Sequence, residues 1–187
     1  MVSVLSLWLP ILLSAVFVFI LSSVIHMVLK YHNSDFKAVP KEAEVLDALR
    51  PFNIGPGMYT MPRANDMKDM NSPEYQEKLK KGPVAMLTVL PNGPVNMGAA
   101  LFKWFVFSVI VGIFSGYVAG IVLGPGANYM EVFRITSVVA FCSYTLAEWP
   151  FLIWYGYSLS TAVKSTFDGL LYALLTGGTF GWLWPMA

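Results

Sequence analysis

Four stretches of this chain stay apolar for about the 20 residues that a helix needs to cross the hydrocarbon of a bilayer. They run over about residues 4–29, 105–123, 132–155 and 161–184. The first carries no charge before Lys30, and the second is bounded by Lys103 and by Gly124-Pro125-Gly126. The third holds Arg134 near one end and Glu148 inside. The fourth is the weakest, because Lys164 and Asp168 sit in its first two turns and its uncharged part starts only at Gly169. Hydrophobic residues make up 56% of the chain and charged residues 12%, with a mean hydropathy of +0.60. A water-soluble domain of this length has too little interior to hide so much apolar surface. The expected fold is therefore an all-α integral membrane protein with a four-helix transmembrane bundle. Residues 1–187 make one polytopic domain, and a partly ordered extramembrane loop spans about residues 30–104.

A cleaved signal peptide would show a positive start, a shorter apolar core and a small-residue cleavage site. The first stretch has no basic side chain ahead of its core, is too long, and is followed by Lys30, so a retained anchor is expected. All six tryptophans, Trp8, Trp104, Trp149, Trp154, Trp182 and Trp184, fall near the ends of the spans. That is where amphipathic rings meet lipid headgroups. Lys30, Lys37, Lys41, Lys81, Lys103 and Lys164 lie on the side of the first loop, with Arg134 alone on the other. The positive-inside rule then puts the loop in the cytoplasm and both termini outside. The aromatic ends, such as Trp8-Leu9-Pro10 and Trp182-Leu183-Trp184-Pro185, fit a bacterial inner-membrane protein.

The loop carries structure signals. Pro40 to Arg50 has proline and acids early and an apolar stripe at Val45, Leu46 and Leu49, which reads as a short helix. Ser72-Pro73 opens a second helix that Gly82 closes. Asn53 to Pro62 is turn-rich, and Val84 to Leu90 suits a strand ending in Pro91-Asn92-Gly93-Pro94.

In the second span, Ser108, Gly112, Gly116, Gly120 and Gly124 recur every four residues, and Gly177 and Gly181 repeat the pattern in the fourth. Such a groove lets another helix backbone come close, which favours association where lipid supplies no hydrophobic drive. The pattern leaves the occupant open: the third or fourth helix, a second copy, or another membrane protein.

Glu148 lies about seven residues from the end of its span, hence roughly 10 Å inside. A carboxylate at that depth needs protein, water or a cation around it. If the third and fourth helices pack antiparallel about a turn near Ser158, Glu148 stands level with Asp168, and Lys164 lies one turn away on the same face. Two carboxylates with a lysine suit proton or cation handling, although a salt bridge that pins the helices is the simpler reading. His26 and His32 are six residues apart, about 240° around a helix. A continuous helix therefore cannot present both to one metal, although either could join a mixed site with Glu148 or Asp168, with His26 the weak metal candidate.

Other chemistries find no support. The net charge of +1 shows no basic stripe for nucleic acid, and Cys142 stands alone, which excludes an intramolecular disulfide. No nucleophile elbow, Walker loop, zinc-protease motif or dinucleotide fingerprint is present. The loop methionines (Met58, Met61, Met67, Met70, Met86 and Met97) are irregularly spaced, which suits adaptable apolar contact better than soft-metal ligation. The leading expectation is thus a non-enzymatic membrane subunit, without a cofactor, that packs against other membrane proteins or itself through the small-residue groove. Two alternatives remain: a small oligomeric transporter or ion/proton pathway using Glu148, and a membrane-embedded metal or cofactor protein.

Overall fold

The computed structural model describes residues 1–186. In chain order the helices are α1 (Trp8–Ser23), α2 (Glu42–Leu49), α3 (Met67–Met70), α4 (Pro73–Lys81), α5 (Met97–Val122), α6 (Tyr129–Thr145), α7 (Glu148–Tyr155) and α8 (Leu159–Trp182). Two strands, β1 (Gly57–Met61) and β2 (Ala85–Val89), lie among them. The chain forms two compact units, one comprising Met1–Phe36 and the residues from Asn96 onward, the other Lys37–Val95.

The first unit is a helical membrane bundle. Three helices are long and apolar enough to cross a membrane: Val4–Leu29, Met97–Val122 and Tyr129–Tyr155. The first of these joins α1 to a 3-10 turn at Val4–Leu7 and a π-helical turn at Val24–Leu29. With 24 residues α8 has the length, but it does not reach the same apolarity. Its Lys164, Asp168 and run of glycines and threonines explain the shortfall.

Contacts define the directions. Along α8, Gly169, Gly177 and Gly181 meet Thr145, Phe133 with Ser137, and Tyr129 in turn, so α8 runs antiparallel to α6. Along α5, Gly112, Gly116 and Gly120 meet Ile11, Leu7 and Val2, so α1 runs antiparallel to α5. The short link from Val122 to Tyr129 turns α6 back along α5, so the four long helices alternate in direction. One core cluster gathers Leu7, Ile11, Ala119, Val132 and Phe180; a second, at the opposite end of α1, gathers Val18, Ile25 and Tyr172.

The third span is broken. Helix α6 stops at Thr145, Leu146 and Ala147 form a turn, and α7 restarts at Glu148. Pro150 explains it: its ring collides with the carbonyl four residues back, at Leu146, and it has no N–H to offer that group. The tryptophans divide into two classes. Trp8, Trp149, Trp154 and Trp182 are exposed, as a headgroup belt requires. Trp104 and Trp184 instead turn inward and donate to the Ser22 hydroxyl (2.8 Å) and the Gly124 carbonyl (2.9 Å).

The Lys37–Val95 unit contains both expected helices. Ser72 caps α4 by accepting from the Tyr75 N–H at 3.2 Å, and Gly82 ends it at φ +62°, where a side chain is strained. The expected strand is β2. Its antiparallel partner β1, paired Gly57↔Val89 through Met61↔Ala85, falls in the segment expected to be turn. Gly55-Pro56-Gly57 masked it, because turn residues immediately precede a Tyr-Thr pair suited to a strand. The Lys37–Val95 unit therefore adds a small sheet to an otherwise helical protein.

Candidate functional site

The sequence-derived residues separate into three places. Ser108, Gly112, Gly116 and Gly120 are buried, and their groove is filled from within the chain. A Cβ on Gly112 would lie 3.4 Å from the Ile11 carbonyl oxygen, and one on Gly116 would lie 3.0 Å from the Phe180 ring. One on Gly120 would strike the carbonyl of Val2, whose N–H donates to the Gly120 carbonyl at 2.9 Å. The occupant is the first helix, a neighbour the sequence pattern did not single out, together with Phe180. Gly124 lies beyond the end of α5, exposed and with open space around it. Gly177 and Gly181 accept residues of α6 in the same manner.

Glu148 and Asp168 do not meet. Gly169 packs on Tyr144 and Thr145, so Asp168 stands about level with Leu146 rather than Glu148, and its side chain pairs with His32 instead. Half-buried at the start of α7, Glu148 makes no side-chain hydrogen bond or salt bridge among the described residues.

Asp168 and Lys164 do lie on one face of α8, as their spacing predicts, but they face the end of the first span rather than Glu148. The chain reverses there. Lys30 adopts a left-handed conformation at φ +54°, ending the π-helical turn, and Tyr31–Ser34 follow as a 3-10 turn. The reversal folds His32 back over His26, with ring centroids 4.6 Å apart and the Tyr31 ring 4.5 Å from His32 on the chain's own neighbouring residue. The two histidines that a continuous helix would separate are thus brought together.

His32 bridges two carboxylates, its Nδ1 lying 2.5 Å from Asp35 Oδ2 and its Nε2 2.7 Å from Asp168 Oδ2. Each contact needs one hydrogen, from the ring or from the acid. Lys164 donates to the Tyr31 carbonyl (2.9 Å), the Ser34 hydroxyl (2.8 Å) and Asp35 Oδ1 (2.7 Å). Burial works against the charge on Asp35, but hydrogen bonds and charge from Lys164 and His32 outweigh it and hold its carboxyl below the ordinary aspartate range. Beneath the cluster lie Ile25, Tyr31, Trp104 and Tyr172, an apolar floor toward the bundle interior.

Not every polar atom is satisfied. Asp168 is 3% exposed, and its second oxygen, Oδ1, is buried without a hydrogen-bond partner. His26 is exposed, and one ligand atom from each of His26, His32 and Asp168 lies within 4.8 Å of the other two. Sequence reading missed Asp35 and the pairing of His26 with His32. The available signal was His32-Asn33-Ser34-Asp35 directly after the first span, a turn-rich run that breaks the helical geometry on which the 240° separation depended. No known protein family, curated protein or solved structure matches the chain.

Proposed function

We propose that this chain is a non-enzymatic membrane protein that binds a small cation where the first span and α8 meet. The observation that carries this reading is the surplus of polar atoms around Asp168. A salt bridge that only pinned two helices would be complete with one donor and one acceptor. Here a nearly inaccessible carboxylate keeps an oxygen without a partner among the described residues, and the His26 ring is held against His32 with no side-chain hydrogen bond among them. An unsatisfied buried acceptor costs about 1–3 kcal/mol, which a bound cation offsets. In this reading all four long helices cross a bacterial inner membrane, with α8 tolerating its charges because Asp168 and Lys164 face protein. Both termini lie outside and residues 37–95 lie in the cytoplasm, so the cluster opens to the cytoplasmic surface.

The test is thermal unfolding of the purified protein in detergent across monovalent and divalent cations at fixed ionic strength. A cation that raises the midpoint for the natural protein, and not for Asp168→Asn, supports the reading. Midpoints that follow ionic strength alone for both proteins overturn it.

A second reading, that of a subunit in a larger membrane assembly, draws on the Lys37–Val95 unit. No side chain of that unit is fully buried, and Leu46, Phe52, Met58, Met67, Met70 and Met86 are exposed. Flexible methionines suit adaptable protein contacts. A photo-crosslinker at Phe52 or Met86 in native membranes tests it; adducts with lipid alone count against it. The small-residue groove no longer supplies this argument, because the chain's own first helix fills it.

A further inference from the structure

We infer that His26, His32 and Asp168 form a site for one divalent first-row transition-metal ion of the zinc class, with a fourth position left open. The inference rests on the cation-binding reading and names the cation. In a tetrahedral zinc site the metal–nitrogen distance is about 2.0–2.1 Å, which sets neighbouring ligand atoms roughly 3.4 Å apart. The three candidate atoms already lie within 4.8 Å of one another. His32 Nε2 and Asp168 Oδ2, at 2.7 Å, need only part by less than about an ångström to admit the ion.

The donor set decides the class. Two imidazoles and one carboxylate, with no thiolate, match borderline divalent ions rather than calcium or magnesium, which prefer all-oxygen shells. The surroundings match as well. Metal-ligating histidines commonly donate their other ring nitrogen to a carboxylate, which fixes the tautomer and makes the ligating atom more basic. His32 has this arrangement: Asp35 holds Nδ1 at 2.5 Å and leaves Nε2 for the ion. Lys164 donates to Asp35, so the ammonium charge rests on the outer carboxylate and not on Asp168. Coordination would engage the carboxylate whose Oδ1 now lacks a partner, and exposed His26 gives the ion a way in.

Binding forms three bonds, from the metal to one nitrogen of His26, to Nε2 of His32 and to a carboxylate oxygen of Asp168. The hydrogen bond between His32 and Asp168 breaks, its proton passes to solvent, and no electrons are transferred.

The experiment is calorimetric titration with Zn2+, and optical titration with Co2+, of the full chain in detergent. The protein carries no polyhistidine tag and is first stripped with chelator. One ion per chain is expected, with the strong visible absorption of tetrahedral cobalt. His26→Gln is the decisive variant, because the exposed His26 ring makes no hydrogen bond among the described residues, so replacing it removes a ligand without breaking a polar contact. It should weaken affinity by more than tenfold, and Asp35→Asn by about 10–100-fold with stoichiometry kept. No zinc or cobalt binding, or unchanged affinity in His26→Gln, overturns the assignment. If neither metal binds but another cation still stabilises the protein through Asp168, the metal inference fails and the broader reading stands; if no cation does so, both fail.

Discussion

His26 and His32 pack with ring centroids 4.6 Å apart and ring planes tilted by 36°, although six residues separate them along the chain. Their meeting depends on Lys30, whose φ of +54° turns the backbone out of the helix. A left-handed conformation costs a residue with a side chain about 1–2 kcal/mol relative to the right-handed one, and glycine almost none. Lys30→Gly is therefore expected to keep the reversal and hold or raise stability by up to about 1 kcal/mol. Lys30→Ile should lower it, because a β-branched residue resists positive φ. Thermal unfolding in detergent measures both.

Asp35 predicts a pH dependence with a definite sign. Its carboxyl is held below the ordinary value of 3.8, so the folded state favours the ionised form more than the unfolded chain does. The resulting stability is fully present above 3.8 and is lost as pH falls from there through the depressed value. Asp35→Asn should flatten that part of the stability profile when unfolding is followed across acid pH in chelator. An unchanged slope would show that the carboxylate is not paired in solution.

The glycines of the bundle make opposite predictions according to what faces them. Gly177→Leu drives a side chain into Ser137 and the Phe133 carbonyl and should destabilise by at least about 1–3 kcal/mol. Gly124→Leu, in open space, should stay within about 0.5 kcal/mol of the natural protein. Equal effects at the two positions would contradict the packing of α6 on α8.

Glu148→Gln is expected to leave both stability and cation binding unchanged, within about 0.5 kcal/mol, because the side chain has no partner among the described residues. A larger loss would mean that Glu148 is engaged by a second copy of the chain.

Three of the four expected long apolar helices, the two expected short helices of the Lys37–Val95 unit and one strand were legible because their signals are local. Apolar length marks Val4–Leu29 and Met97–Val122, and Ser72 and Gly82 mark the ends of α4 by capping chemistry. The groove along α5 was legible as a groove, because glycine spacing sets which face is open, but its occupant was not. Any helix of complementary shape satisfies the same pattern, and only the folded chain shows Val2, Leu7 and Ile11 in it. Two of the site residues, Lys164 and Asp168, were found from their i, i+4 spacing, and a histidine was weighed as a partner of Asp168, while Asp35 and the meeting of the two histidines were not.

The sequence by itself determined that this chain belongs in lipid, since no interior of this size hides so many apolar side chains, and it placed Asp168 on the same face of α8 as Lys164. Only the tertiary structure decided what that face meets. A left-handed residue at position 30 turns the backbone out of the first helix and back over it. That small backbone departure gives Asp168 its partner His32, because side-chain partners depend on register across helices, which helical periodicity within one helix does not encode.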